Sequence, residues 1–169
     1  STYKFFLLAI LVFGIQVLAG IISATDFIRP FGINLNDMIP FTVSRSYHTL
    51  LQIFWFFMCW VGYTIFFLPR LTKVPKGQQF LINLLFFVAC VVAVGAVTGI
   101  YVGQRGWISD ELSYWFGSQG WEFIELGRFF QLLLLAGFTL WILIIYRGVK
   151  PWLSKKNFWS VPAWLLWGS

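Results

Sequence analysis

The chain alternates long apolar runs with short polar stretches. Tyr3 to Ala24, Phe41 to Leu68, Phe80 to Val102 and Phe129 to Tyr146 each approach or exceed the roughly 20 residues that a helix needs to cross about 30 Å of hydrocarbon. They predict four complete membrane helices. A fifth begins at Phe158 and runs past Pro162 and Trp164 to Ser169, where the chain stops in mid-span. The pattern therefore predicts an all-α fold, a polytopic transmembrane helix bundle forming a single domain over residues 1–169. It further predicts that this domain is one part of a larger bundle, as a piece of a longer protein or one part of a split one.

Composition agrees with the pattern. With 59% hydrophobic residues and only 11% charged, too little polar surface remains to solvate a globule of 169 residues. The bilayer is the solvent that this composition fits. Helix 1 is too long, and lacks the small-residue cleavage pattern, to be a signal peptide.

Charge gives an orientation. Lys4 precedes the first run; Arg70, Lys73 and Lys76 follow the second; Arg147, Lys150, Lys155 and Lys156 follow the fourth; no acid accompanies them. These segments are predicted to be cytoplasmic, with the N-terminus. All six acids, Asp26, Asp37, Asp110, Glu111, Glu122 and Glu125, fall in the two opposite connections. The net charge of +6 is then a topology signal, and nucleic-acid binding is not expected.

Small residues speak for packing. Cys59 and Cys90 lie inside apolar runs with no C-x-x-C pair, so they read as packing residues and not as a disulfide or redox pair. Gly95, Gly99 and Gly103 recur every four residues and clear one helix face for a neighbour's backbone. The first run carries Gly14, Gln16 and Gly20, read in the same way as a helix contact.

Chemistry enters in the second run. His48 is the only histidine, and an ionisable residue in a membrane helix is costly unless it is paired or functional. At 3.6 residues per turn, Arg45, His48, Gln52, Trp55, Cys59 and Gly62 share one face, expected to look into the bundle. His48 lies about 10 Å along the helix from Phe41, with Arg45 one turn nearer the outer end. An axial imidazole with an arginine above it suits a haem whose propionates need compensation. A hydrogen bond to a neighbouring helix, a proton relay or a quinone contact would also account for the histidine.

The connection from Asp110 to Phe130 holds the second constellation. Glu122 and Glu125 are three apart and, if helical, share a face just before the fourth span. Their oxygens could bind a calcium near the propionates, or they could complement the dipole at the start of that helix. Trp121, after Gln119 and Gly120, suits the headgroup region.

Three stretches carry a resemblance. FGINLNDMIPFTVSRSYHTLLQIFWFFMCWVGYTIFFLP from Phe31, PKGQQFLINLLF from Pro75 and WFGSQGWEFIELGRFFQ from Trp115 resemble the catalytic subunit of nitric oxide reductases, within the haem–copper oxidase superfamily. The quinol-dependent, single-chain branch is the most similar. The resemblance implies that His48 is an axial ligand of a low-spin haem b and that Arg45 pairs with its propionates. It makes Glu122 a calcium ligand and Glu125 a second acid supporting the propionate network or a proton path. The implied reaction reduces two NO to N2O, with electrons passing through low-spin haem b to a haem b3 and non-haem iron site. That site is built by later helices, so this chain would supply no catalytic residue. The implied setting is the inner membrane of a denitrifying bacterium, with the remaining core helices or partner subunits, and quinol or cytochrome c as electron donor.

The chain also departs from that branch. Quinol-dependent members present a histidine and a glutamate near the outer end of the first helix, where this chain reads ATDFIR, with Thr25 and Arg29. A dismutase-like relative that converts NO to N2 and O2 is the nearest alternative within the family. A non-catalytic membrane subunit, using His48 and Gln52 only to lock helices, is the alternative outside it.

Overall fold

The computed structural model describes residues 2–121 and 124–153. Four helices in it are long and apolar enough to span a membrane. They are α1 (Tyr3–Ile28), α2 (Phe41–Leu71), α3 (Gln78–Gln104) and, after a short α4 (Asp110–Phe116), α5 (Arg128–Val149). The fifth span expected from Phe158 lies outside the described residues.

Each span runs a little beyond its apolar stretch. In α1 the helix continues through Asp26 to Ile28, and Arg29 ends it in the left-handed region at φ 44°. Polar residues at a membrane boundary can stay helical because their backbone hydrogen bonds remain internal. Pro69 sits in the last turn of α2, where the helix is about to end in any case.

The helices run up and down, so their connections gather at two ends. At the acid-bearing end, Arg105 Nη2 donates to the Met38 carbonyl at 3.1 Å, joining the α1–α2 connection to the end of α3. At the basic end, Arg147 Nη2 donates to the Lys76 carbonyl at 2.9 Å and Gln78 Nε2 to the Ile144 carbonyl at 2.7 Å. Lys4 Nζ donates to Asn83 Oδ1 at 2.6 Å, holding the first helix to the third.

The core lies chiefly on one stripe of α2. Val43, Tyr47, Leu51, Phe54, Met58, Val61, Ile65 and Leu68 are buried, at the three- and four-residue spacings of one helix face. The expected inward polar face holds in part: Gly62 is buried against Phe5 and Phe6, Trp55 and Cys59 pack on the core and His48 meets α1, whereas Gln52 is corrected to an exposed position.

The glycine series does clear a face. A Cβ on Gly95 would stand 2.0 Å from the Phe130 ring, one on Gly99 2.2 Å from the Phe116 carbonyl oxygen, and one on Gly103 2.6 Å from Ser118 N. Backbone of the α4–β1 segment thus lies against α3, with Phe130 of α5 beside it. Gly14 of α1, by contrast, has open space around it. Cys59 packs against the core, and both cysteines are free.

The approach to α5 is not helical. β1 (Ser118–Trp121) and β2 (Ile124–Leu126) form an antiparallel hairpin, with Gly120 at φ 70°. A left-handed glycine and aromatic or β-branched neighbours favour a hairpin over a first helical turn. The expected helical face of Glu122 and Glu125 is therefore corrected: Glu125 lies on a strand, and Glu122 lies outside the described residues.

Candidate functional site

Five consecutive residues near the start of α2, Ser44 to His48, are each tied to another element. Ser44 Oγ accepts from Ser23 Oγ at 2.8 Å and donates to Asn36 Oδ1 at 3.3 Å, joining α1 and the connection. Arg45 Nη2 pairs with Glu125 Oε1 at 3.2 Å. Ser46 Oγ accepts from Gln104 Nε2 at 2.9 Å, and Tyr47 donates its hydroxyl to the Val97 carbonyl, both on α3. His48 meets Gln16 of α1 through its backbone carbonyl, 3.0 Å from Nδ1.

The histidine contact depends on a glycine. The Gln16 carbonyl lies one turn before Gly20, and a Cβ on Gly20 would stand 2.6 Å from His48 Nδ1 and 2.8 Å from Cε1. With any larger residue at position 20 the imidazole would be pushed off the carbonyl. Gln16 itself is buried, its Nε2 3.2 Å from the same Nδ1 and its Oε1 without a partner. Gln16 and Gly20 therefore belong to the site, although the sequence marked them only for packing. A polar residue in mid-span with a glycine one turn later was the available signal.

Arg45 and His48 border one groove between α1 and α2. It is an open groove with a volume of about 530 Å³, lined by Val17, Ile21, Phe27 and Phe41, with Gln16 and Ser23 beside these two polar side chains. That volume falls in the range of roughly 300–1,000 Å³ typical of ligand sites. Apolar walls with one imidazole and one guanidinium suit a large flat ligand that is apolar in the middle and anionic at its edge.

The donor chemistry fits a haem. A carbonyl oxygen carries no hydrogen, so its 3.0 Å contact is a hydrogen bond only when Nδ1 holds the imidazole proton. The Nε2 lone pair is then left for a metal, the arrangement in which a second contact fixes a ligating histidine. The guanidinium of Arg45 has five donors, and Glu125 engages it through Nη2. Glu125 is nearly buried, with 12% of its side chain exposed, against 42% for Arg45.

Other predicted positions take different roles. Thr25 is buried and accepts from Leu35 N at 3.0 Å, closing the connection after α1. Arg29 forms the left-handed end of α1. Among the described residues, no three of His, Cys, Asp and Glu gather as a metal site; Glu122, the predicted calcium ligand, is not among them. Gln52 is exposed and so does not lock helices within this chain.

Comparison with known proteins gives the family. The family model described as cytochrome C and quinol oxidase polypeptide I matches residues 1–169. No curated protein matches the chain. The match covers the whole length, so the chain belongs to the cytochrome c and quinol oxidase polypeptide I family, subunit I of the haem–copper oxidases, a family of haem-binding multi-pass membrane oxidoreductases.

Proposed function

We propose that this chain is the low-spin-haem part of a membrane nitric oxide reductase, with His48 as one axial ligand of haem b. The observation that carries the reading is the imidazole fixed by the Gln16 carbonyl, with the Arg45–Glu125 pair one turn nearer the acid-bearing end. The branch within the family rests on the GWEFIELGR run, from Gly120 to Arg128, which supplies Glu125 to that pair.

When bound, a low-spin haem b supplies one-electron transfer towards a second haem and a non-haem iron. The protein's own residues bind and orient. His48 offers Nε2, and Gln16 and Gly20 hold the ring in one orientation. Arg45 would neutralise a propionate while sharing its charge with Glu125, and Glu122 would take part in a calcium site near them. The second axial ligand and the iron ligands belong to other helices of the complex. The basic segments favour a cytoplasmic N-terminus, and the resemblance implies a bacterial inner membrane.

Two measurements test this. The purified complex should show haem b absorption bands that His48→Ala removes; absence of the bands, or their survival in the variant, ends the ligand assignment. Under NO with an electron donor, trapped gas should be N2O. Release of O2 with N2 would instead mark dismutation, and neither gas would exclude both reactions.

A further inference from the structure

The Gln16 side chain meets the same ring nitrogen as the Gln16 backbone. With the proton on Nδ1 committed to the carbonyl at 3.0 Å, the amide nitrogen at 3.2 Å sets one N–H group against another. The opposite tautomer would accept from the amide but turn its lone pair on the carbonyl oxygen. Neither satisfies both contacts. A half-turn of the amide removes the clash at Nδ1, because Oε1 then faces the Nδ1 proton and Nε2 takes the buried position that Oε1 held.

We infer that Gln16 sets the reduction potential of the low-spin haem by giving the His48 Nδ1–H two oxygen acceptors, the backbone carbonyl and the side-chain amide. This rests on the assignment of His48 as an axial ligand. Acceptors that draw on the Nδ1 proton make the imidazole a stronger donor through Nε2. A stronger donor favours ferric over ferrous iron, so the second acceptor holds the potential down. The carbonyl is backbone and survives substitution, whereas the amide does not, which lets the two contributions be separated. Gln16 is in this sense a positioning residue acting through His48.

The test is a redox titration of the intact holoenzyme, following the low-spin haem bands in the wild type, Gln16→Leu and Gln16→Glu. Gln16→Leu removes the second acceptor and should raise the potential, increasing the reduced-to-oxidised ratio about tenfold at the wild-type midpoint, which is about 59 mV for a one-electron couple. Gln16→Glu keeps an acceptor oxygen and should stay at or below the wild-type value. A packing role would shift both variants alike or neither, and either result overturns the inference. If His48→Ala removes the haem while Gln16→Leu titrates as wild type, the ligand assignment stands and this inference alone falls. If His48→Ala leaves the haem in place, both fall.

Discussion

Replacing Gly20 by alanine is the sharpest perturbation of the site, because it adds one methyl group where the imidazole lies. The added Cβ would start 2.6 Å from His48 Nδ1, whereas ordinary contact begins near 3.4 Å. The ring must retreat by about 1 Å to reach normal van der Waals separation. The 3.0 Å bond to the Gln16 carbonyl then stretches to about 4 Å, past the limit of a hydrogen bond. The carbonyl keeps its helical partner, so the loss falls on the part-buried Nδ1–H, which the retreating ring carries away from both Gln16 oxygens, at about 1–3 kcal/mol for a donor left unsatisfied. Alanine's better helix propensity offsets about 1 kcal/mol of this. Gly14→Ala supplies the control, since it gains the same propensity with nothing near its Cβ. Thermal unfolding of the intact protein in detergent should therefore put Gly20→Ala about 1–3 kcal/mol below Gly14→Ala. The low-spin haem signal should weaken in the first variant alone, because Nε2 moves with the ring. Equal stability and equal haem content in the two variants would refute the coupling of Gly20 to His48.

Three further outcomes are expected. Gly99→Ala sets a Cβ 2.2 Å from the Phe116 carbonyl, a backbone atom that cannot swing aside, and should cost about 1–3 kcal/mol in thermal unfolding. Lys73→Cys should react with a membrane-impermeant thiol reagent only from the cytoplasmic face, and Asp110→Cys only from the opposite face; labelling of both from one side would reverse the topology assignment. Calcium measured by elemental analysis of the holoenzyme should fall on Glu122→Gln or after chelation, and an unchanged content would remove Glu122 as a ligand.

The spans were legible because the bilayer enforces them: a helix that crosses hydrocarbon must stay apolar for about 20 residues. Their ends were less so, since Asp26 to Ile28 could have belonged to helix or loop. His48 and Arg45 stood out because charge and imidazole are costly in that setting. The Glu122–Glu125 spacing misled, because a separation of three suits a helix face, whereas Glu125 lies on a strand paired with β1, in which Gly120 at φ 70° sits at a register shift. The inward-facing line failed only at Gln52: its neighbours His48, Trp55, Cys59 and Gly62 pack inward, and the apolar stripe through Leu51 and Met58 carries most of the burial beside them. Gln16 and Gly20 were present as residues but not as partners of His48, since their pairing exists only where two distant segments meet.

The anchoring of Ser44 to His48 would let a short stretch hold the imidazole in the role proposed for it. Successive residues on a helix point about 100° apart, so five in a row look outward in every direction. Here they reach α1, the α1–α2 connection, the β2 strand and α3. Bonds on several sides fix the helix against rotation, and bonds at successive heights fix it against sliding. One turn further on, Gln52 is exposed, and apart from the bond from Trp141 Nε1 to Thr64 Oγ1 at 2.9 Å the further contacts of α2 are mainly apolar, which sets depth without setting direction. Directional control is thus concentrated in the turn and a half that ends on the imidazole. A ligand that must keep one orientation through repeated electron transfer needs that control at its own position and gains little from it elsewhere.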